Sequence, residues 1–174
     1  MDNKGIYKLY LAKGKNTPQG SIVGDFKKRD DDGFICEIYL SDAEVGKAGC
    51  FDIVTTVYTG KSAIYVTSDM LEALQEGGVE ERFELYHELG HIHCGHYESG
   101  VEDDGGQPDE QRLLNEEKEA DAFAASEIGG QTALEALRSM LTIRAQVDKR
   151  LGVNGTPESV KAIREIRARI DALK

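Results

Sequence analysis

Eleven residues, YHELGHIHCGH at 86–96, hold all four histidines of the chain. Among them His87, Glu88 and His91 stand in the spacing HExxH. Residues i and i+4 of a helix share one face, so the two imidazoles can grip a single Zn²⁺. Glu88 sits one step around the helix, from where its carboxylate reaches a water on that ion rather than the ion itself. That is the position of a general base. Random placement of this composition yields about 0.01 such matches, so chance is a poor explanation. A catalytic zinc takes a third protein ligand and keeps one position open for water. His93 lies two residues from His91 and points elsewhere on the helix, while His96 follows Gly95, where the helix should end.

Better third ligands stand downstream, in NEEKEADAFAASE at 115–127. Glu117 and Asp121 are four apart, so on a helix one carboxylate can bind zinc while the other, a turn away, accepts a hydrogen bond from a ligating imidazole. Ala120, Ala122, Ala124 and Ala125 let this helix approach the HExxH helix closely. Taken alone, the stretch reads as an acidic solvated face built on helix-forming alanines. Downstream of HExxH, the metal-binding reading outweighs that one.

HELGH followed by EKEADAFA resembles the gluzincin metallopeptidases, in which HExxH precedes a glutamate ligand in an ExxxD or ExxAD context. The compact layout looks most like the ImmA/IrrE metallopeptidases, and EADAFA with the following GGQTALEALRSML is also similar to the catalytic core of the Ste24/HtpX-type peptidases. The resemblance covers roughly residues 62–128. It implies His87, His91 and Glu117 as zinc ligands, Glu88 as the catalytic acid/base, and Asp121 as the orienter of an imidazole, His87 first. Glu119, two residues from Glu117 and pointing off that face, ranks second as a ligand. Many ImmA/IrrE-type proteins carry an N-terminal helix-turn-helix; only strands are read here.

These residues need elements to hold them. The runs IYKLYLA (6–12), SIVGDF (21–26), FICEIYL (34–40), FDIVTTVY (51–58) and SAIYVT (62–67) are β-branched and aromatic. They predict a small, mostly antiparallel sheet over 1–68, with turns at DDDG (30–33) and TGK (59–61). A short helix opens on a capping box of Asp69 and Glu72 and stops at Gly77–Gly78. The HExxH helix runs over 79–94 and the glutamate-bearing helix over 110–128, separated by an acidic Gly- and Pro-containing loop read as a solvated tether. Thr132 with Glu135 predicts a further capping box, and Thr156 with Pro157 opens the last helix. Residues 132–173 then read as an antiparallel helical hairpin. The expected fold is α+β and minimal zincin-like: the sheet packs on the two site helices in a domain over 1–130, and the hairpin packs on it over 131–174.

Composition narrows the partners. A net charge of −11 and a pI near 4.8 over 174 residues argue against nucleic acid and anionic membrane surfaces. No run approaches the roughly 20 apolar residues of a membrane span. Three cysteines, Cys36, Cys50 and Cys94, without CxxC spacing, suggest neither a disulfide framework nor a structural zinc site, and a reducing cytoplasm suits them. Cys94 reads as a small buried residue.

The expected activity is peptide-bond hydrolysis in a protein or peptide substrate, laid as an added strand along SAIYVT if that strand is a sheet edge. Tyr86, Tyr97, His96 and Arg138 are candidate oxyanion donors, although Tyr86 fits the apolar stripe and reads first as core. The competing expectation is a zinc-binding protein of a phage or mobile element that binds a regulator without cutting it.

Overall fold

The computed structural model describes residues 5–17, 20–30, 33–48, 53–58, 61–97 and 109–174. The β-branched runs form β1 (Tyr7–Thr17), β2 (Gly20–Lys28), β3 (Phe34–Leu40), β4 (Ile53–Tyr58) and β5 (Lys61–Val66). They make one five-stranded sheet in the order β1-β2-β3-β5-β4. Only β3 and β5 run parallel; the other three pairings are antiparallel. The turns expected at 30–33 and 59–61 both fall between antiparallel neighbours, with residues 31–32 and 59–60 outside the described residues.

The parallel pair needs a crossover, and it contains a helix the sequence reading did not include: α1 (Asp42–Lys47), capped by the Ser41 hydroxyl. α1 lays Val45 on one sheet face against Tyr39, Ala63 and Tyr65. Successive strand residues point to opposite faces, so Ile64 and Val66 turn the other way into the main core. β5 is therefore interior, buried from Ala63 to Val66. This corrects the expectation that SAIYVT is a sheet edge: the edge beside it is β4.

Five helices lie on the other face: α2 (Ser68–Glu76), α3 (Val79–Cys94), α4 (Glu110–Ile128), α5 (Gly130–Leu151) and α6 (Pro157–Ala172). α3 and α4 have the expected bounds, and Thr156 caps α6 through Ser159 N–H. Two expected capping boxes do not form. Thr67, the extended residue directly after β5, caps α2 by accepting from Met70 N–H. Gly129, at φ 99°, turns the chain from α4 into α5 within one residue, so α5 starts at Gly130 and Thr132 is already helical.

Phe26, Ile38, Ile64 and Val66 of the sheet share one core with Phe83, Leu85, Tyr86 and Leu89 of α3, Ala124 of α4, Leu137 of α5 and Ile170 of α6. Full burial of each large apolar side chain contributes about 1.5–3 kcal/mol. The hairpin thus joins the core that holds the HExxH helix. At its turn Asp148, 2% exposed, accepts from Ser159 Oγ and Arg144 Nε. The start of β1 is tied to α4 by the buried Glu127 carboxylate, which accepts from the Ile6 and Tyr7 N–H groups.

Candidate metal centre

α3 sinks Phe83, Leu85, Tyr86 and Leu89 into the core, which leaves His87 and His91, each 8% exposed, facing α4. The two helices meet at Gly90. A Cβ there would stand 2.9 Å from both the Cα and the carbonyl oxygen of Ala120, and 3.2 Å from Phe123. The backbone of α4 cannot give as a flexible side chain can, so the glycine inside HELGH and the alanine inside EADAFA form one packing feature. Gly90→Ala should destabilise the protein by about 1–3 kcal/mol through overpacking, despite the roughly 1 kcal/mol that alanine gains over glycine in a helix. Gly46→Ala in α1, where nothing lies within 4 Å, is the control that should not destabilise in the same denaturant titration.

The close approach brings three donors together. His87 Nε2 lies 3.1 Å from His91 Nε2, Glu117 Oε2 lies 3.4 Å from His87 Nε2, and Glu117 Oε1 lies 3.4 Å from His91 Nε2. A first-row dication with tetrahedral bonds of roughly 2.0–2.1 Å sets its ligand atoms about 3.3 Å apart. The three separations are close to that spacing, with a different Glu117 oxygen facing each imidazole, so the three residues suit such an ion in chemistry and approximate size. His87, His91 and Glu117 are able to hold a metal. Glu119, the second-ranked carboxylate, faces away from the triangle and lies 3.1 Å from His96 Nε2.

The candidate ligands are held from behind. Asp121, fully buried, places Oδ1 2.9 Å from His87 Nδ1, which keeps the proton on Nδ1 and turns Nε2 toward the donor group. Arg169 of α6 donates to the same carboxylate through Nε and Nη2, both at 2.7 Å, and reaches Glu117 Oε2 through Nη1 at 2.9 Å. Burial alone would raise the pKa of Asp121 and of Glu117; hydrogen bonds from Arg169 and His87 at Asp121, and from His87 and His91 at Glu117, hold both below the carboxylate range. Burial opposes charge on His87, but Asp121 and Glu117 outweigh it and push its pKa up to about 9.

Glu88 stands beside the triangle on the sheet side. Its Oε2 accepts from Thr55 Oγ1 of β4 at 2.6 Å and from the Tyr97 hydroxyl at 3.3 Å. Burial, then the charge of Glu88, pushes the Tyr97 hydroxyl up, so it remains a neutral donor. Tyr97 is the one oxyanion candidate in contact with Glu88 among the described residues. Tyr86 packs in the core against Phe26, and Arg138 is exposed on α5.

The remaining histidines have partners. His93 bonds the Tyr7 hydroxyl through Nδ1 at 2.7 Å and stacks on Phe123. His96 is returned to the site by Gly95, whose φ of 74° closes α3 while the His96 N–H bonds the His91 carbonyl. Cys94 is exposed, a correction to its expected burial, because it falls on the solvent side of the last turn of α3; Cys36 is buried, and Cys50 lies outside the described residues. So do residues 98–108 of the acidic tether.

Arg169 and Thr55 were not foreseen. Arg169 left a signal: it occupies the apolar stripe of the last helix, three residues after Ile166 and four before Leu173. Thr55 left none.

An HExxH helix and a glutamate-bearing helix, locked together at Gly90 and backed by a small mixed sheet, define an α+β domain that can hold a metal. Residues 78–153, from the start of α3 past the end of α5, match the family model Peptidase_M78, the IrrE N-terminal-like domain. That similarity is to a metallopeptidase family, the first of the two suggested by the motifs. No curated protein and no solved structure matches the chain. No helix among the described residues is long and apolar enough to cross a membrane.

Proposed function

We propose that the protein is a zinc-dependent endopeptidase acting on a flexible or unfolded segment of a protein substrate. The observation that carries this reading is the placement of Glu88. It immediately follows the ligand His87, stays out of the donor triangle, and is oriented through one oxygen by Thr55 and Tyr97. A general base needs that arrangement, whereas a structural metal site does not. Two imidazoles and one carboxylate, with a position left open, are a donor set suited to catalytic zinc.

Zinc, when bound, supplies the Lewis acidity that polarises a peptide carbonyl and acidifies water. Glu88 would take a proton at Oε1, since Oε2 is engaged, from a water whose oxygen adds to the carbonyl carbon, and would pass it to the amine nitrogen as the C–N bond breaks. Tyr97, whose single hydroxyl proton rests on Glu88 Oε2, would turn it toward the negative charge that develops on the carbonyl oxygen. Asp121 and Arg169 keep His87 and Glu117 aimed. β4, a sheet edge carrying Thr55, offers unpaired backbone groups to which an extended substrate can add as a strand. The free thiols of Cys36 and Cys94 suit a reducing cytoplasm.

One feature favours a second reading, a zinc-binding interaction protein that binds a regulator without cutting it. Ile143, Val147 and Leu151 of α5 are 49%, 42% and 68% exposed beside a groove of about 850 Å³, rimmed by Asp69, Glu80, Glu81 and Glu84.

The test is digestion of a denatured protein mixture by zinc-loaded protein, read by mass spectrometry of new termini. Cleavage that stops on chelation and returns with zinc is expected. Intact substrates despite stoichiometric zinc would overturn the peptidase reading in favour of the second.

A further inference from the structure

His87 and His91 play matching parts toward the metal, yet only His87 has a carboxylate directly behind it. Behind His91 stands another imidazole. His91 Nδ1 lies 2.8 Å from His96 Nδ1, and His96 Nε2 lies 3.1 Å from Glu119 Oε2. We propose that His96 and Glu119 form a positioning relay for the metal ligand His91, doing through one extra ring what Asp121 does for His87. The inference rests on His87, His91 and Glu117 holding a metal.

Proton placement decides the roles. A neutral imidazole carries one N–H and one lone pair. To ligate through Nε2, His91 must carry its proton on Nδ1, and that proton points at His96 Nδ1, which must then accept. His96 therefore holds its own proton on Nε2, where it donates to Glu119. Every group in the chain is satisfied in this one arrangement, and it makes the His91 ring orientation depend on His96. The relay also assigns a purpose to the helix end. Gly95 turns the chain so that His96, with a side chain only 8% exposed, covers His91.

A rival use of the same atoms exists. Cys94, His96 and Glu119 also offer three ligand atoms within 4.8 Å of one another. If His96 ligated a second cation through Nε2, its proton would sit on Nδ1, His91 Nδ1 would have to accept, and His91 Nε2 would carry a proton instead of a lone pair. A metal on His87, His91 and Glu117 thus excludes one bound through His96 Nε2. Because the first set is the more buried and includes Glu117, which Arg169 fixes, the relay prevails.

Zinc affinity, measured by competition with a chromophoric chelator, and histidine tautomers, read from long-range ¹⁵N spectra of the zinc-loaded protein, test the proposal. His96→Leu should weaken zinc about ten- to a hundredfold. His96→Asn, whose Oδ1 takes the place of Nδ1 as acceptor, should recover most of the loss. The spectra should show His91 protonated on Nδ1 and His96 on Nε2. Wild-type affinity in a folded His96→Leu protein, equal loss in both variants, or a His96 proton on Nδ1 would overturn the relay alone. Failure of the wild-type protein to take up zinc would overturn the metal reading and the relay with it.

Discussion

Glu88→Gln should leave zinc bound at wild-type affinity and lower the cleavage rate by about 10²–10⁴, the range for loss of a positioned general acid/base. The substitution conserves shape, and the Gln carbonyl can still accept from Thr55 Oγ1, so the fold and the sheet-side packing should persist. What disappears is an oxygen that can take a proton at neutral pH and give it back to the amine. The two halves of the result separate three roles. Cleavage lost with zinc retained identifies the acid/base. Zinc lost with Glu88 would make the residue a ligand instead, and unchanged cleavage would remove it from the chemistry.

Arg169→Ala should destabilise the zinc-free protein by about 3–5 kcal/mol, the cost of stranding one partner of a buried ion pair. The guanidinium spans two carboxylates. It grips Asp121, whose side chain is 1% exposed, through two hydrogen bonds, and it reaches Glu117 through a third. Without it both negative charges face His87 with one counter-charge fewer. A bound dication restores part of the missing positive charge, so the penalty should shrink when unfolding is repeated in saturating zinc. Arg169→Lys should recover only part of the loss, because an ammonium cannot reproduce the planar two-point contact with Asp121. Denaturant titrations of the three proteins, with chelator and with zinc, measure all of this. Equal stabilities throughout would mean that the clamp contributes nothing.

Arg169 also marks where reading residues in order stops. The helical period that sets Ile166 and Ile170 on the inner side of α6 is a property of one helix, and it puts Arg169 beside them without saying what it meets. Its partners lie 48 residues away at Asp121 and 52 away at Glu117. Thr55 was less legible still. A threonine in a strand is ordinary, and only the position of β4 beside β5 carries it to Glu88. The misplaced edge has the same origin: strand composition predicts strands, but β3 pairs with β5 across an intervening strand, an order no local pattern specifies. The caps at Thr67 and Gly129 went astray for a smaller reason. A cap belongs to whichever residue is extended at the junction, and the preceding element decides that.

What the sequence determined by itself is whatever a single helical turn can express. The i, i+4 spacing puts His87 and His91 on one face, Glu88 beside them, and Glu117 with Asp121 on a second helix; Gly95 and Gly152, with left-handed φ angles of 74° and 70°, end their helices where glycine predicts. Tertiary structure decided which faces meet: Gly90 on Ala120 sets the donor triangle, α6 brings Arg169 to the carboxylates, β4 brings Thr55 to Glu88, and the turn after α3 folds His96 onto His91. Those contacts depend on the burial of a core shared by the sheet and α2–α6. Such burial selects partners by total packing rather than by spacing along the chain.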